Sequence, residues 1–275
     1  MHLPVAMKVS TAVRPRSEPK PRIVRFLAIR PETILKIAKQ RLPDETLPEI
    51  IWKQALSEAR FVLREGLTFR KRENLKAQRA YSEMDVDEFE AINARQRWAN
   101  WRTIPQVLNA GLPNRPLKAI DLCCGSGQST EVLACYLPVG SKVLGIDSSP
   151  TFVERAEQRT YSHRSGKPVN VSFRIQSVLE SLRDASGNRI QDASIDLVSS
   201  SGAVGSHFDE DTTRVLAKEV SRVLRKGGVA AIDSGRPGTK TKTLIRIFQD
   251  EGFGVSHTAR SSVFDRYTQV CLRKW

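Results

Sequence analysis

Hydrophobic positions follow two different periods along the chain. Up to about residue 105 they recur at intervals of three and four residues, which is the period of an amphipathic helix. From Leu117 onward, short apolar runs alternate with amphipathic segments of helical length. The first pattern predicts a helical N-terminal part, and the second predicts strands and helices in turn, as in an α/β domain.

Two helices are predicted in the first part of the chain. One starts at Pro31, where proline suits a first turn, and stops before Pro43. The other covers the apolar positions between Ile50 and Leu67 and leads into a basic run up to Arg79. A basic run of this kind is most often the solvated face of a helix.

A third helix is predicted before the first strand. Asp85 or Asp87 can cap its start, and Pro105 is expected to break it. Its tryptophans, Trp98 and Trp101, have helical spacing and are expected to pack the helix onto the core. The sequence leaves open the alternative that a helix in this place roofs a ligand site.

The second part of the chain predicts a sheet of seven strands. The runs that have strand character are 117–122, 142–146, 169–176, 194–200, 227–234, 253–264 and 267–275. The helices between them are 128–137, 150–163, a short one near Leu179, 209–225 and 241–250. A tight turn at Asp265 and Arg266 makes the last two strands antiparallel. The predicted fold is an α/β three-layer sandwich with a seven-stranded, mostly parallel sheet, an antiparallel C-terminal hairpin and an N-terminal helical extension.

The stretch from 117 to 147 has the form of a βαβ unit with a ligand site. Its first turn contains Gly125 and Gly127, which let the backbone approach a ligand closely. Asp147 ends the second strand, twenty residues beyond Gly127, where an acid can accept both hydroxyls of a ribose. The unit therefore predicts a nucleoside-containing cofactor.

Two residues decide among nucleoside cofactors. A dinucleotide fingerprint would need a third glycine, and Thr130 stands in its place. Asp121, at the end of the first strand, would repel a pyrophosphate and attract a cation. A cofactor with a positive charge fits this turn better than a dinucleotide.

These residues resemble the class I S-adenosylmethionine-dependent methyltransferases, whose first motif commonly reads D-x-G-x-G-x-G and stands here as DLCCGSG. The resemblance covers roughly 105–275 and includes the passages VLGID, SIDLVSSSGAV and VLRKGGVAAID. It implies S-adenosylmethionine as the cofactor. It also implies an in-line displacement at the sulfonium methyl that leaves S-adenosylhomocysteine.

The resemblance also implies which residues contact the cofactor. Asp121, Gly125 and Gly127 would surround its methionine part, and Asp147 would bind its ribose. Further positions expected to contact it are Cys123, Ser148, Ser177, Val178 and Ser199.

Two of these positions depart from the family pattern. Cys123 replaces the first glycine of the motif, which suits the turn if the position needs only a small residue with φ below zero. Ser177 stands where many members have an acid that bonds the adenine amine, so its hydroxyl or the nearby backbone must serve instead.

His207 is the candidate catalytic base. It lies in the loop after the fourth strand, where the substrate is expected, and an unperturbed imidazole titrates near neutrality. The alternative is that His207 only caps a helix or lies at the surface. Arg236, after the fifth strand, could pair with an anionic substrate, although a solvated loop arginine is the simpler interpretation.

Three hypotheses about function are considered, two of which differ in the class of methyl acceptor. Members that methylate nucleic-acid bases resemble one another in an Asn/Asp-Pro-Pro-aromatic motif after the fourth strand, and the sequence from Ser199 to Gly202 is unlike it. This favours a small-molecule acceptor under a helical lid. The second hypothesis is a nucleic-acid methyltransferase, acting on RNA, that uses the basic N-terminal region. A third is a nucleoside-binding regulatory module without transferase activity.

Composition adds a charge asymmetry to this picture. The formal net charge is +14; residues 1–117 hold 22 Lys and Arg against 13 Asp and Glu, which leaves 22 against 17 for the rest. The proline-rich and basic residues 1–24 are expected to form a disordered arm, followed by a lid over 25–104 and a methyltransferase domain over 105–275.

Cysteine usage and hydropathy bound the remaining possibilities. The four cysteines form no C-x-x-C pair, so neither a structural zinc nor a disulfide framework is expected. No apolar run approaches the ~18 residues that span a bilayer, and the first residues lack a secretory apolar segment. The protein is expected to be cytoplasmic and to have no membrane partner; its oligomeric state is not predicted.

Overall fold

A computed structural model shows a seven-stranded sheet between layers of helices. It describes residues 26–42, 46–65, 84–109, 111–261 and 267–275. The strands are β1 (Lys118–Leu122), β2 (Lys142–Asp147), β3 (Asn170–Ile175), β4 (Ile195–Ser200), β5 (Leu224–Ser234), β6 (Phe253–Ala259) and β7 (Thr268–Lys274). Their order in the sheet is β3-β2-β1-β4-β5-β7-β6, and β7 runs antiparallel to both of its neighbours. The predicted mostly parallel sheet with an antiparallel C-terminal hairpin is confirmed.

The strand order places a crevice above β1 and β4. The chain moves outward from β1 through β2 to β3 on one side, and then returns to β4 beside β1. Because the two connections leave in opposite directions, their loops separate at the carboxyl ends of β1 and β4. A ligand site is expected at that opening.

Helices precede the sheet and cover its two faces. They are α1 (Pro31–Arg41), α2 (Leu47–Glu65), α3 (Val86–Ile92), α4 (Ala94–Leu108), α5 (Gln128–Tyr136), α6 (Pro150–Glu157), α7 (Val204–His207), α8 (Glu210–Val223) and α9 (Thr241–Asp250). Alternation along each strand separates two cores: one packs under α1, α4 and α5, and the other under α8 and α9.

Trp101 belongs to the first of these cores. It is fully buried, and its ring lies edge-on to Tyr136 with centroids 6.3 Å apart. Ile104 and Leu108 follow it into the same cluster, together with Ala38 of α1. The expectation that Trp101 packs its helix onto the core is confirmed, and α1 and α4 therefore share a core with the sheet.

The break in the helix before β1 was placed wrongly. Pro105 lies inside α4, and the interruption is at Asn93, between α3 and α4. Asn93 donates from its side-chain amide to the carbonyl of Phe89, which closes the last turn of α3. Pro105 is tolerated within the helix because it is buried among neighbours that hold α4 against the core.

Three other predicted elements differ from the structure. No helix forms near Leu179, because the N–H of Leu179 and of Glu180 bond back to Ser177 and close a single turn. The helix after β2 ends at Glu157, well before residue 163. The helix capped by Asp209 ends at Val223, since the chain pairs with β4 from Leu224 onward.

Several predictions lie outside the described residues. They concern the arm 1–24, most of the basic run up to Arg79 and the turn at Asp265 and Arg266. Within the described chain, no helix combines the length and the apolar character needed to cross a membrane.

Candidate functional site

The turn between β1 and α5 contains three residues with positive φ. The angles are 54° at Cys123, 52° at Gly125 and 82° at Gly127. The condition of a negative φ at Cys123 is therefore not met, and this expectation was wrong. A non-glycine residue in the left-handed region costs about 1–2 kcal/mol, so the turn holds strain directly after β1. Burial raises the pKa of the Cys123 thiol, which supports a packing role.

The two glycines of the turn are also required by contacts within the protein. A Cβ on Gly125 would lie 2.9 Å from the ring of Phe89 in α3. A Cβ on Gly127 would meet the Tyr161 hydroxyl and Ala156. The first contact means that a helix preceding the sheet packs directly on the ligand-binding turn.

Asp121 lies beneath the turn, fully buried. One of its carboxylate oxygens accepts hydroxyl hydrogen bonds from Ser129 and Thr130, both at 2.6 Å. Burial raises its pKa to about 6, partly offset by these two bonds. Asp121 therefore fixes the first turn of α5, which was not anticipated from its expected position beside the ligand.

Asp147 connects the end of β2 to the glycine turn. One of its carboxylate oxygens accepts the Gly125 N–H at 2.9 Å, and the other accepts the Ser149 N–H at 3.0 Å. Burial raises its pKa above the ordinary value, against the effect of these bonds. Each oxygen keeps a further lone pair, so the carboxylate can still accept hydroxyl donors from a ligand.

A cavity of about 570 Å³ opens above this turn. Of the residues predicted to contact the cofactor, its wall includes Cys123, Gly125, Asp147, Ser148, Ser177 and Val178. Three others, Asp121, Gly127 and Ser199, lie outside that wall, and Asp121 and Ser199 are fully buried. The structure thus brings the predicted residues together in two layers, one facing the cavity and one supporting it.

Sequence reasoning did not identify the polar residues that roof the cavity. Asn93, Gln96 and Asn100 line it from above. Gln96 donates to Asn100 and Ser201 at 2.8 and 3.0 Å, and Ser201 donates to Asn100 at 2.7 Å. The spacing of these residues, i, i+3 and i+7, places them on one side of the helix, next to the face that carries Trp101, and this polar stripe was the available indication. The same region therefore packs the core and roofs the site.

The roof is held down by aromatic and ionic contacts with α6 and the residues after it. Phe89 stacks on Phe152 with ring centroids 4.0 Å apart. Arg159 pairs with Glu90 of α3 at 2.5 Å and also donates to the carbonyl of Ser126 in the glycine turn. These contacts place α3 directly over the cavity.

His207 lies where the first cavity meets a second one. It is half-buried and lines both. Burial lowers its pKa to about 4, so it is neutral at physiological pH and does not titrate near neutrality as the sequence suggested. The short helix that carries it is held by Asp233, which accepts the backbone N–H groups of Gly205 and Val204 at 2.8 and 3.3 Å.

The second cavity is larger, about 1240 Å³. It lies between α2, α4 and the loops after β4 and β5, and Arg236 is part of its wall. Four residues line both cavities: Asn93, Gln96, Gly202 and His207. Within the described chain, no group of three or more His, Cys, Asp and Glu side chains could hold a metal ion.

The strand order and a glycine turn tied to an acid at the end of β2 define a class I S-adenosylmethionine-dependent methyltransferase domain. Residues 119–228 match a family model described as a methyltransferase domain, which identifies that part of the chain as a domain of this class. The cofactor of this class is S-adenosylmethionine.

Known proteins resemble part of the chain. An uncharacterised methyltransferase of Synechocystis is 33% identical over 44% of this chain and 48% of its own length. A demethylmenaquinone methyltransferase of Staphylococcus aureus is 30% identical over 44% of each chain. The chain thus spans about half the length of these curated relatives. A crystal structure of magnesium protoporphyrin IX methyltransferase from Synechocystis, with bound SAM, is similar at 18% identity, 58% and 71% coverage and a TM-score of 0.45.

The residues around the turn suit such a cofactor. Among the buried polar atoms that have no hydrogen-bond partner within the described residues, three lie at the turn or the crevice: Asp121 Oδ1, Ser126 Oγ and Ser199 Oγ. Asp121 and Ser199 are register partners on β1 and β4, so their side chains share one face at the crevice. Of these residues, Ser126 lines the cavity, where a ligand can offer its hydroxyl a hydrogen-bond partner, whereas Asp121 and Ser199 lie beneath the wall.

Proposed function

We propose that the protein transfers the methyl group of S-adenosylmethionine to a small-molecule acceptor held in the second cavity. The observation that carries the proposal is the shared wall of the two cavities, at Gly202 and His207 beneath the roof of α4. When bound, the cofactor supplies an activated methyl group on a sulfonium. The chain then has to align the acceptor and exclude water, and adjoining cavities that share a wall favour that alignment.

The cofactor-facing residues have distinct proposed roles. The Gly125 turn would hold the methionine part, above Asp121 as a positioning residue. Asp147 would accept the ribose hydroxyls with its free lone pairs. Ser177 and Val178, on the loop after β3, would border the adenine. These roles follow the resemblance and agree with the positions of the side chains around the cavity.

His207 is the proposed proton acceptor of the site. With a pKa of about 4 its imidazole is unprotonated at neutral pH and can accept a hydrogen bond or a proton from the acceptor. A base with so low a pKa gives little driving force, so alignment is expected to contribute more to the rate than proton removal.

The lining of the second cavity favours a small molecule over a nucleic acid. Besides His207, Tyr267 is the one aromatic side chain in the described lining, whereas binding of unpaired bases relies on aromatic stacking. The Staphylococcus relative is named for a small-molecule acceptor, demethylmenaquinone, which supports the same choice. The basic region invoked by the nucleic-acid hypothesis lies largely outside the described residues, so that hypothesis becomes an outcome of the test.

The test measures cofactor binding and methyl transfer separately. Calorimetry with S-adenosylhomocysteine should show binding to the wild type and at least tenfold weaker binding to Asp147→Ala. An exposed acid on α9 provides the matched control Asp250→Ala, which should bind as the wild type does.

Transfer is measured with S-adenosylmethionine carrying a labelled methyl group. The protein is incubated with a cell extract that is afterwards divided into small-molecule, nucleic-acid and protein fractions. Label in the small-molecule fraction is expected. Label in RNA or DNA would establish the alternative acceptor, and tight cofactor binding without label in any fraction would indicate a binding module instead of an enzyme.

A further inference from the structure

The second cavity is lined by an excess of positive charge. The cationic side chains in its described lining are Arg95, Arg236, Lys240, Lys242 and Arg260, and the one acidic side chain is Glu58. Arg236, Lys240 and Lys242 are exposed at the border of the cavity, so solvent reduces the repulsion between their like charges without removing it. The arrangement becomes favourable when a negatively charged group enters the cavity.

Three of these cations lack the partners that other basic residues have. Within the described residues, Arg236, Lys240 and Lys242 form no ion pair. By contrast, Arg222 on α8 pairs with Glu219 at 2.5 Å and with Asp192 at 2.6 Å. The positive charge of the cavity is therefore not used to hold the fold together there.

The first turn of α9 carries charges opposite to the usual preference. Helix N-termini favour acids and disfavour lysines, by typically 0.3–1 kcal/mol for each charge. Here Lys240 is the N-cap, Lys242 is in the first turn, no acid is present in that turn, and no side chain caps the helix. Lys240 to Thr243 all line the cavity, so the lysines and the uncapped backbone N–H groups meet the same space.

The cations line only the second cavity, whereas Gly202, Gln96 and His207 line both. An acceptor held by its anionic group at the cationic wall would extend its methyl-accepting atom toward the shared wall. The same separation keeps the lysines out of the wall around the cofactor, whose sulfonium is itself positive. The positions of the charges thus suit an elongated acceptor with one negatively charged end.

We infer that the acceptor carries a carboxylate or phosphate group and that this group binds in the second cavity at Arg236, Lys240 and Lys242. The inference rests on the proposed function and specifies the chemical class of its substrate. It treats Arg236 as a binding residue, in place of the solvated loop arginine that the sequence favoured.

A first experiment tests the anion site without knowledge of the acceptor. The full-length protein, saturated with S-adenosylhomocysteine, is titrated with inorganic phosphate and separately with acetate, and its Tm is compared with that in chloride at equal ionic strength. Bound anion stabilises the folded state, so phosphate or acetate should raise the Tm of the wild type. The rise should be lost in Lys240→Gln/Lys242→Gln and kept in the control Lys218→Gln/Lys226→Gln, which changes two exposed lysines elsewhere. Equal Tm shifts in all three proteins would overturn the inference.

A second experiment identifies the charge of the methylated product. Labelled product from the small-molecule fraction is passed over an anion exchanger at neutral pH, before and after phosphatase treatment. Retention that phosphatase abolishes indicates a phosphate monoester, and retention that survives it indicates another anionic group, such as a carboxylate. A labelled product that is not retained overturns this inference and leaves the proposed function standing. Absence of label in every fraction refutes the proposed function. In that case the Tm experiment still shows whether the second cavity binds an anion.

Discussion

At the scale of single residues, Asp121 and Asp233 make folding sensitive to mildly acidic pH. Both are fully buried, and burial raises the pKa of each to about 6 from an ordinary 3.8. The folded chain therefore keeps protons that the unfolded chain has already released between about pH 4 and pH 6. The stability associated with these groups is fully present below about pH 4 and is lost as the pH rises through about 6.

The Asp121→Asn variant should remove the part of this dependence that belongs to Asp121. We expect its free energy of unfolding, relative to that of the wild type, to increase by about 2 kcal/mol as the pH rises from 4 to 6, because a shift of one pKa unit corresponds to about 1.4 kcal/mol and part of the shift takes effect outside this range. Urea unfolding at several pH values measures this. The exposed-acid variant Asp250→Asn should follow the wild type, and a difference between Asp121→Asn and wild type that stays constant with pH would contradict the assignment.

The site residues that could be predicted from the sequence were those at a characteristic spacing in the motif. Asp147 and Gly125 follow from motif distances, and both line the cavity. The positive φ of Cys123, the burial of Asp121 and the low pKa of His207 did not follow. Each depends on atoms brought close by tertiary packing, which no local pattern in the chain records.

At the scale of elements, α3 and α4 form the roof of the cofactor cavity. Phe89 of α3 contacts both the Gly125 turn and the ring of Phe152, so the roof and the floor of the cavity touch. Cofactor that binds beneath such a contact has to displace or pass the roof when it leaves. The position of α3 is therefore expected to affect the dissociation rate of the cofactor.

The variant Phe89→Ala tests this role of α3. Loss of the stacked ring and its packing should weaken binding of S-adenosylhomocysteine by about tenfold, mainly through faster dissociation, since aromatic pairs contribute about 0.5–1.5 kcal/mol beyond burial. Stopped-flow or surface-based kinetics separates the two rate constants. Leu63→Ala, an exposed position on α2, serves as the control. An unchanged dissociation rate in Phe89→Ala would show that α3 does not retain the cofactor.

All seven strands were predicted, because short apolar runs bounded by turn residues mark buried strands well. Element ends were predicted less well, for physical reasons visible in the structure. Pro105 continues a helix because the surrounding core holds it, and Leu224 joins a strand because β4 lies beside it. The turn at Leu179 and the short α7 depend on hydrogen bonds to Ser177 and Asp233, which a hydrophobic pattern does not report.

At the scale of the whole molecule, two of the helices before β1, α1 and α4, are part of the main core, while Phe61 of α2 and Ile92 of α3 belong to a separate small cluster. Leu27, Ile34 and Trp101 belong to the cluster that also contains β1 and α5. The division at residue 104 into a lid and a methyltransferase domain stays a prediction about function. In the structure, α4 extends across this division, and its residues on either side of Trp101 pack against both parts.

Two tryptophan variants test whether these helices and the sheet unfold together. Trp101→Ala should lower the free energy of unfolding by about 3–5 kcal/mol, because it leaves a large cavity in the shared core. Trp52→Ala, which removes a 71% exposed ring from α2, should change it by less than about 0.5 kcal/mol. Denaturant unfolding followed by circular dichroism and by fluorescence should give one coincident transition for the wild type. Two separate transitions would indicate that α1–α4 form an independent unit.

Asn93 closes α3, begins α4 and lines both cavities. A ligand in either cavity therefore acts on the same helix junction. If the first ligand orders this junction, the second ligand binds without having to pay the conformational entropy of ordering it again. Each ligand then raises the affinity for the other by the same factor, as thermodynamic reciprocity requires. Cofactor and acceptor would then favour each other's binding, and the spent cofactor would hold the product in place until the roof opens.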